Sequence, residues 1–181
     1  MISHRYRCIF VHDRKAAGIS IMSAFGLDHA DREWHLYNEG VLAPEWFVRP
    51  DYFIFTIVRN PFDRLISAWR YLPATRDRPL IDVLTNPPTR GRDYRHLTRP
   101  QVAILRDPRS GALVTDAVIR LEDLQAGFDQ VCDRIGKPRC VLPHLNKTRR
   151  ERDYRSYFDQ RTRQMAELVF KDDLEALNYS F

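Results

Sequence analysis

The amino-acid sequence predicts an α/β fold in which strands alternate with helices around a parallel sheet. Short apolar runs without polar alternation, CIFV within 7–12 and YFIFTIV over 52–58, suit strands buried on both faces, as parallel strands are. Each run is followed by residues whose apolar members fall at helical spacing, the pattern of βαβ units. The length of 181 residues, with 44% apolar and 29% charged, is that of one ordinary globular domain, so residues 1–181 are read as a single domain.

The first strand covers Arg7 to His12, with Cys8, Ile9, Phe10 and Val11 as its apolar run. Asp13 to Gly18 form a loop, and Ile19 to Phe25 open a helix whose apolar side is Ile21, Met22 and Phe25. The second strand, Tyr52 to Val58, is stopped by Asn60 and Pro61. Phe62 to Leu72 is helical, because Leu65, Trp69 and Leu72 lie at i, i+4 and i+7 on one face. Prolines concentrate between Pro73 and Gly111, which reads as loops around one short helix at Leu80 to Leu84. Ala117 to Arg120 is a third strand. Leu121, Leu124, Phe128, Val131 and Ile135 then keep helical spacing up to Gly136, a C-cap followed by Pro138. A final helix begins after Asp159, with Met165, Leu168, Val169 and Leu174 inward.

Charge and cysteine usage narrow the function classes. Of 29 basic residues only Lys15, Lys137, Lys147 and Lys171 are lysines; the rest are arginines, and the net charge is +5. The planar guanidinium fork suits phosphate, sulfate and carboxylate, so a nucleotide, an acidic glycan or a nucleic acid fits as partner. The plainer alternative is that most of this arginine is solvated surface. Cys8, Cys132 and Cys140 are odd in number and lack C-x-x-C spacing, which argues against a disulfide framework and a thiolate metal site and for a reducing compartment. Met1 to Arg7 has no apolar signal region, and no run approaches the ~18 apolar residues of a transmembrane helix, so the cytoplasm is the expected location.

Two segments carry chemistry. In IFVHDRKAAGIS, Ile9 to Ser20, a buried strand ends, Ala16, Ala17 and Gly18 make a turn of small residues, and a helix opens. Unpaired N–H groups there attract anions, Lys15 adds a mobile charge, and Ser20 adds a hydroxyl donor. It is not a Walker A loop, which places lysine after the second glycine, whereas Lys15 precedes Gly18; no GxGxxG is present either. An ordinary βα loop with a surface lysine remains the alternative. In FTIVRNPFDRLISAW, Phe55 to Trp69, Arg59 lies just past a strand and Ser67 eight residues later on the following helix, so a charged fork and a hydroxyl converge on one anion. The alternative is that Arg59 pairs with a local carboxylate and Ser67 only fills the helix.

Together these segments resemble the sulfotransferases that use 3′-phosphoadenosine 5′-phosphosulfate (PAPS), of the carbohydrate type that includes heparan sulfate O-sulfotransferases and small bacterial relatives. The first is similar to that family's 5′-phosphosulfate loop, typically HIPKTAGTS, and the second to its 3′-phosphate motif, typically VRNPxDRLxSAY. VIRLEDLQAGFDQVCDRIG, LPHLNKT and the ending LVFKDDLEALNYSF resemble further family segments. Arg14, Ala16 and Ile19 depart from the pattern, and Ile19 removes a hydroxyl expected on the 5′-phosphate.

The resemblance implies a three-layer sandwich around a central parallel sheet with a P-loop-like strand–loop–helix nucleotide site. It implies PAPS as sulfuryl donor, its bisphosphate PAP as product, no metal, and a hydroxyl acceptor of glycan type. The implied cofactor-binding residues are Arg14, Lys15, Ala16, Ala17, Gly18, Ile19, Ser20, Arg59, Ser67, Lys147 and Thr148. Lys15 is also placed to stabilise charge on the leaving oxygen. A histidine–leucine pair before the second motif makes His35 the implied base, with Glu33 and Glu39 in reserve; histidine has the pKa that this role needs, but His12, at the end of the first strand, is read as shaping the loop rather than as the base. Three competing readings stand beside this one. A nucleotide kinase needs a Walker lysine and a magnesium carboxylate, and neither is placed. A nucleic-acid-binding module rests on the basic charge alone, so no nucleic-acid partner is expected. A degenerate member would bind PAPS without transfer.

Overall fold

The structure is a computed structural model that describes residues 1–26, 51–107, 110–143 and 153–181. Its strands are β1 (Ile2–Ser3), β2 (Cys8–Val11), β3 (Phe53–Val58) and β4 (Ala117–Arg120). Its helices, among the described residues, are α1 (Gly18–Ala24), α2 (Pro61–Tyr71), α3 (Leu80–Thr85), α4 (Gly91–Leu97), α5 (Leu124–Ile135), α6 (Gln160–Val169) and α7 (Lys171–Leu177). The chain divides into two compact units, Met1–Val58 with Ile104–Leu145, and Arg59–Ala103 with Asn146–Phe181.

The first unit is an α/β sheet unit with strand order β1-β2-β3-β4. β2, β3 and β4 run parallel, as expected for β2 and β3 from their unalternated apolar runs. β1 pairs antiparallel with β2, so the sheet is mixed rather than purely parallel. A parallel neighbour needs a long crossover, whereas β1 returns through residues 4–7, a tight turn closed by Arg7 in the left-handed region (φ 48°). The pleat sorts side chains by face. Cys8, Phe10, Phe55, Ile57 and Ile119 form one core with Ile21 and Met22 of α1 and Phe128, Val131 and Cys132 of α5. Gly127 lets α5 approach closely, since a Cβ there would sit 2.5 Å from Ile119 Cγ2. On the opposite face Ile9, Val11, Ile54, Thr56 and Val58 are buried too, and the Thr56 hydroxyl donates to the Val11 carbonyl at 2.8 Å.

The second unit is helical. α2 supplies Phe62, Leu65, Ile66, Ala68, Trp69 and Leu72 to a core shared with Leu80, Val83, Leu84, Leu97, Tyr154, Ala166 and Phe170. Asn60 begins α2: its side chain accepts from the Phe62 N–H at 3.0 Å, and Pro61 occupies the first turn, where no donor is needed. The Asn60 amide also donates to the Tyr154 hydroxyl and the Ser180 carbonyl, tying the start of α2 to the C-terminal chain.

The structure corrects three details of the sequence reading. The proline-rich middle holds a second helix, α4, and a 3-10 turn at Gln101–Ile104. The final helix is two helices, α6 and α7, separated at Phe170. Leu168 points outward, 78% exposed, because it lies about 200° around the helix from buried Ala166.

Burial pushes the Cys8 thiol up to about 12 and raises that of Cys132 as well, while Cys140 is half-buried. Native protein at about pH 8 should therefore show one thiol, Cys140, reactive with a disulfide reagent, and three after unfolding. Rapid labelling of Cys8 in the native state would contradict this packing.

Candidate functional site

The loop after β2 is shaped by a buried imidazole. His12, 8% exposed, stacks on Phe10 with ring centroids 5.8 Å apart. Its Nε2 lies where a Cβ on Gly18 would be, 1.9 Å away, so only glycine fits that position. This agrees with a loop-shaping role for His12. Lys15 (φ 69°) and Ala17 (φ 52°) both adopt the left-handed conformation, and Ala16 between them does not. Such alternation is how backbone N–H groups build a concave anion site, and left-handed non-glycine residues cluster where function requires them. Arg14, Lys15, Ala17 and Ile19 are half-buried; Ala16 and Gly18 are buried.

Ser20 is buried, and its hydroxyl donates to the Pro143 carbonyl at 2.8 Å. The donor expected to face an anion is thus directed at the chain itself. Gln125 of α5 reinforces the same anchor, accepting from the Leu142 N–H and donating to the Cys140 carbonyl. Residues 140–143, the approach to Lys147 and Thr148, are therefore attached to α1 and α5. Lys147, Thr148, His35, Glu33 and Glu39 lie outside the described residues.

Arg59 follows directly on Val58, the last residue of β3. Its Nε and Nη2 both meet Asp63 Oδ2 at 2.7 Å, in the first turn of α2. Its main chain makes two bonds to Gln101: the Arg59 N–H donates to Oε1 at 2.9 Å, and Nε2 donates to the Arg59 carbonyl at 2.8 Å. Ser67, 4% exposed, lies one turn beyond Asp63 on the same stripe of α2. The pairing of Arg59 with a local carboxylate, the alternative the sequence offered, is thus present.

The neighbouring Arg64 does something else. It is fully buried, its Nη2 donates to the Arg99 carbonyl, and its guanidinium carbon lies 5.8 Å from the Phe170 ring centre. Trp69 is core, with its indole N–H donated to the Arg78 carbonyl at 2.9 Å. Among the described residues no three His, Cys, Asp or Glu side chains gather as metal ligands, and no helix is long and apolar enough to cross a membrane.

The family model described as Sulfotransferase family matches residues 42–180, well over half of the chain. This chain belongs to the sulfotransferase family. Its chemistry is sulfuryl transfer. No curated protein and no solved structure matches it. The matched residues of this sulfotransferase include Arg59, Asp63, Ser67, Gln101 and the C-terminal helices; the loop Arg14–Ser20 precedes them. Gln101 and Asp63, which hold Arg59, were not picked out as its partners from the sequence. Asp63 was readable as an i, i+4 partner of Arg59; Gln101 heads the apolar run QVAIL and gave no periodic signal.

Gly18→Ala should destabilise the protein by roughly 1–3 kcal/mol, as overpacking does. In a His12→Ala background the same change should cost much less. Denaturant unfolding of the four proteins decides it, and strictly additive costs would contradict the contact.

Proposed function

We propose that this sulfotransferase is PAPS-dependent and O-directed, a single domain over residues 1–181 that places a sulfuryl group on an acceptor hydroxyl of a carbohydrate. The observation that carries the proposal is the fixed arginine at the end of β3: Arg59 is held by Asp63, one helical turn before Ser67, within the family-matched residues. A rigid guanidinium fork fits a 3′-phosphate, and Arg59, with Ser67 by resemblance, is assigned to it. The resemblance of Arg14–Ser20 to the 5′-phosphosulfate loop, together with the left-handed residues Lys15 and Ala17, supports placing the 5′ end there. Lys147 and Thr148 complete the nucleotide contacts by resemblance.

PAPS supplies the sulfuryl group when bound. The protein's own work is electrostatic: transfer of this type builds negative charge on the leaving oxygen, and the Lys15 ammonium offsets it. His35 accepts the proton of the acceptor hydroxyl. Ile19 offers its backbone N–H in place of a hydroxyl, and Arg14 adds charge beside it. The three free cysteines support a cytoplasmic location.

Calorimetry with adenosine 3′,5′-bisphosphate and labelled-sulfate transfer to a glycan panel test the assignment. Arg59→Ala should weaken bisphosphate binding by about 2 kcal/mol. Lys15→Ala and His35→Ala should lower turnover far more than they weaken binding of the bisphosphate, which lacks the sulfuryl group. Unchanged affinity in a folded Arg59→Ala protein, or normal turnover in both other variants, would reject these roles.

A further inference from the structure

Strand β3 ends at Val58, yet the peptide groups on either side of Arg59 are held as firmly as if the ladder continued. Gln101 does this. A side-chain amide offers one acceptor and one donor side by side, as a neighbouring strand does, and Gln101 gives its oxygen to the Arg59 N–H at 2.9 Å and its nitrogen to the Arg59 carbonyl at 2.8 Å. The two contacts admit one orientation of the amide only, since a donor must meet a carbonyl and an acceptor an N–H.

Asp173, in the first turn of α7, fixes that orientation in turn. Its Oδ2 accepts from the Gln101 N–H at 2.9 Å and from Gln101 Nε2 at 3.3 Å, and its Oδ1 accepts from the Val102 N–H at 3.0 Å. Both residues are 0% exposed. A carboxylate buried so completely is costly unless its lone pairs are used, and here they hold both the backbone and the side chain of Gln101. Added to the Asp63 pair on the guanidinium, Arg59 is fixed at its N–H, its carbonyl and its side chain. Arginine carries about 2 kcal/mol of rotamer entropy, and restraint before binding removes part of that cost from the binding step.

We propose that Gln101 and Asp173 are positioning residues for the 3′-phosphate arginine: a buried carboxylate–amide clamp that sets Arg59 for the bisphosphate end of the nucleotide. This rests on the reading of Arg59 as the 3′-phosphate ligand.

The readout is the ratio of affinities for adenosine 3′,5′-bisphosphate and adenosine 5′-monophosphate, which differ only by the 3′-phosphate. Arg59→Ala, Gln101→Met, Asp173→Asn and the double variant Arg59→Ala/Gln101→Met are compared with wild type by calorimetry. Gln101→Met should lower the ratio about fivefold, the worth of one hydrogen bond, and leave monophosphate affinity unchanged. In the Arg59→Ala background it should lower the ratio no further. Asp173→Asn keeps the volume, should show a smaller loss of the same kind, and carries the test if Gln101→Met does not fold. If Arg59→Ala erases the ratio while the clamp variants leave it intact, or weaken both nucleotides equally, the clamp is overturned and the reading of Arg59 stands. If Arg59→Ala itself leaves the ratio unchanged, the reading of Arg59 fails and the clamp fails with it.

Discussion

A buried peptide group must find a partner, and the place where that requirement bears hardest is the end of β3. The ladder with β4 closes at Val58 opposite Arg120, and Arg59 comes next, half-buried, with a charged side chain to deliver. Gln101 supplies both missing backbone bonds, and Asp63 receives the guanidinium. Asn60 and Pro61 then start α2 at once, so that the strand's last residue, the arginine and the helix stripe bearing Ser67 follow within a few residues. The helical unit built on α2 is organised around this start: Asn60 reaches Tyr154 and Ser180, and Asp173 reaches Gln101.

The loop after β2 solves a different constraint by crowding. His12 fills the space beside Gly18, stacked on Phe10, and the backbone turns through left-handed conformations at Lys15 and Ala17. These are residues that rarely adopt such angles, so the surrounding packing holds them there. Ser20 faces Pro143 rather than outward, which makes it a brace between α1 and the segment that leads toward Lys147. Of the departures from the family pattern, Ala16 is buried in the loop and Ile19 half-buried in the first turn of α1.

Much of this was legible in the sequence. β2 and β3 announced themselves because a strand buried on both faces must be apolar throughout, and α2 and α5 because their apolar residues repeat at helical spacing; β4, exposed at Val118 and Arg120, showed only a short apolar run. That Arg59 could pair with a local carboxylate was legible from its place just before the acidic first turn of α2. The two-residue β1 was not, for it is too short to carry a pattern. Nor was α4, whose sequence GRDYRHL has no apolar stripe. The Gln101–Asp173 pair spans 72 residues and joins side chains to main chain, which leaves no periodic trace; Asp173 reads locally as one of two acids in a helix's first turn, suited to its dipole. Leu168 was misread because its apolar character counted for more than its angular position on α6.

The account turns on Arg59 meeting a phosphate without leaving Asp63. A crystal structure of the protein with adenosine 3′,5′-bisphosphate tests this most directly. The account predicts the 3′-phosphate against the Arg59 guanidinium and the Ser67 hydroxyl, with the Arg59–Asp63 pair and both Gln101 bonds retained. A 3′-phosphate bound elsewhere, or an Arg59 that must abandon Asp63 and Gln101 to reach it, would contradict it.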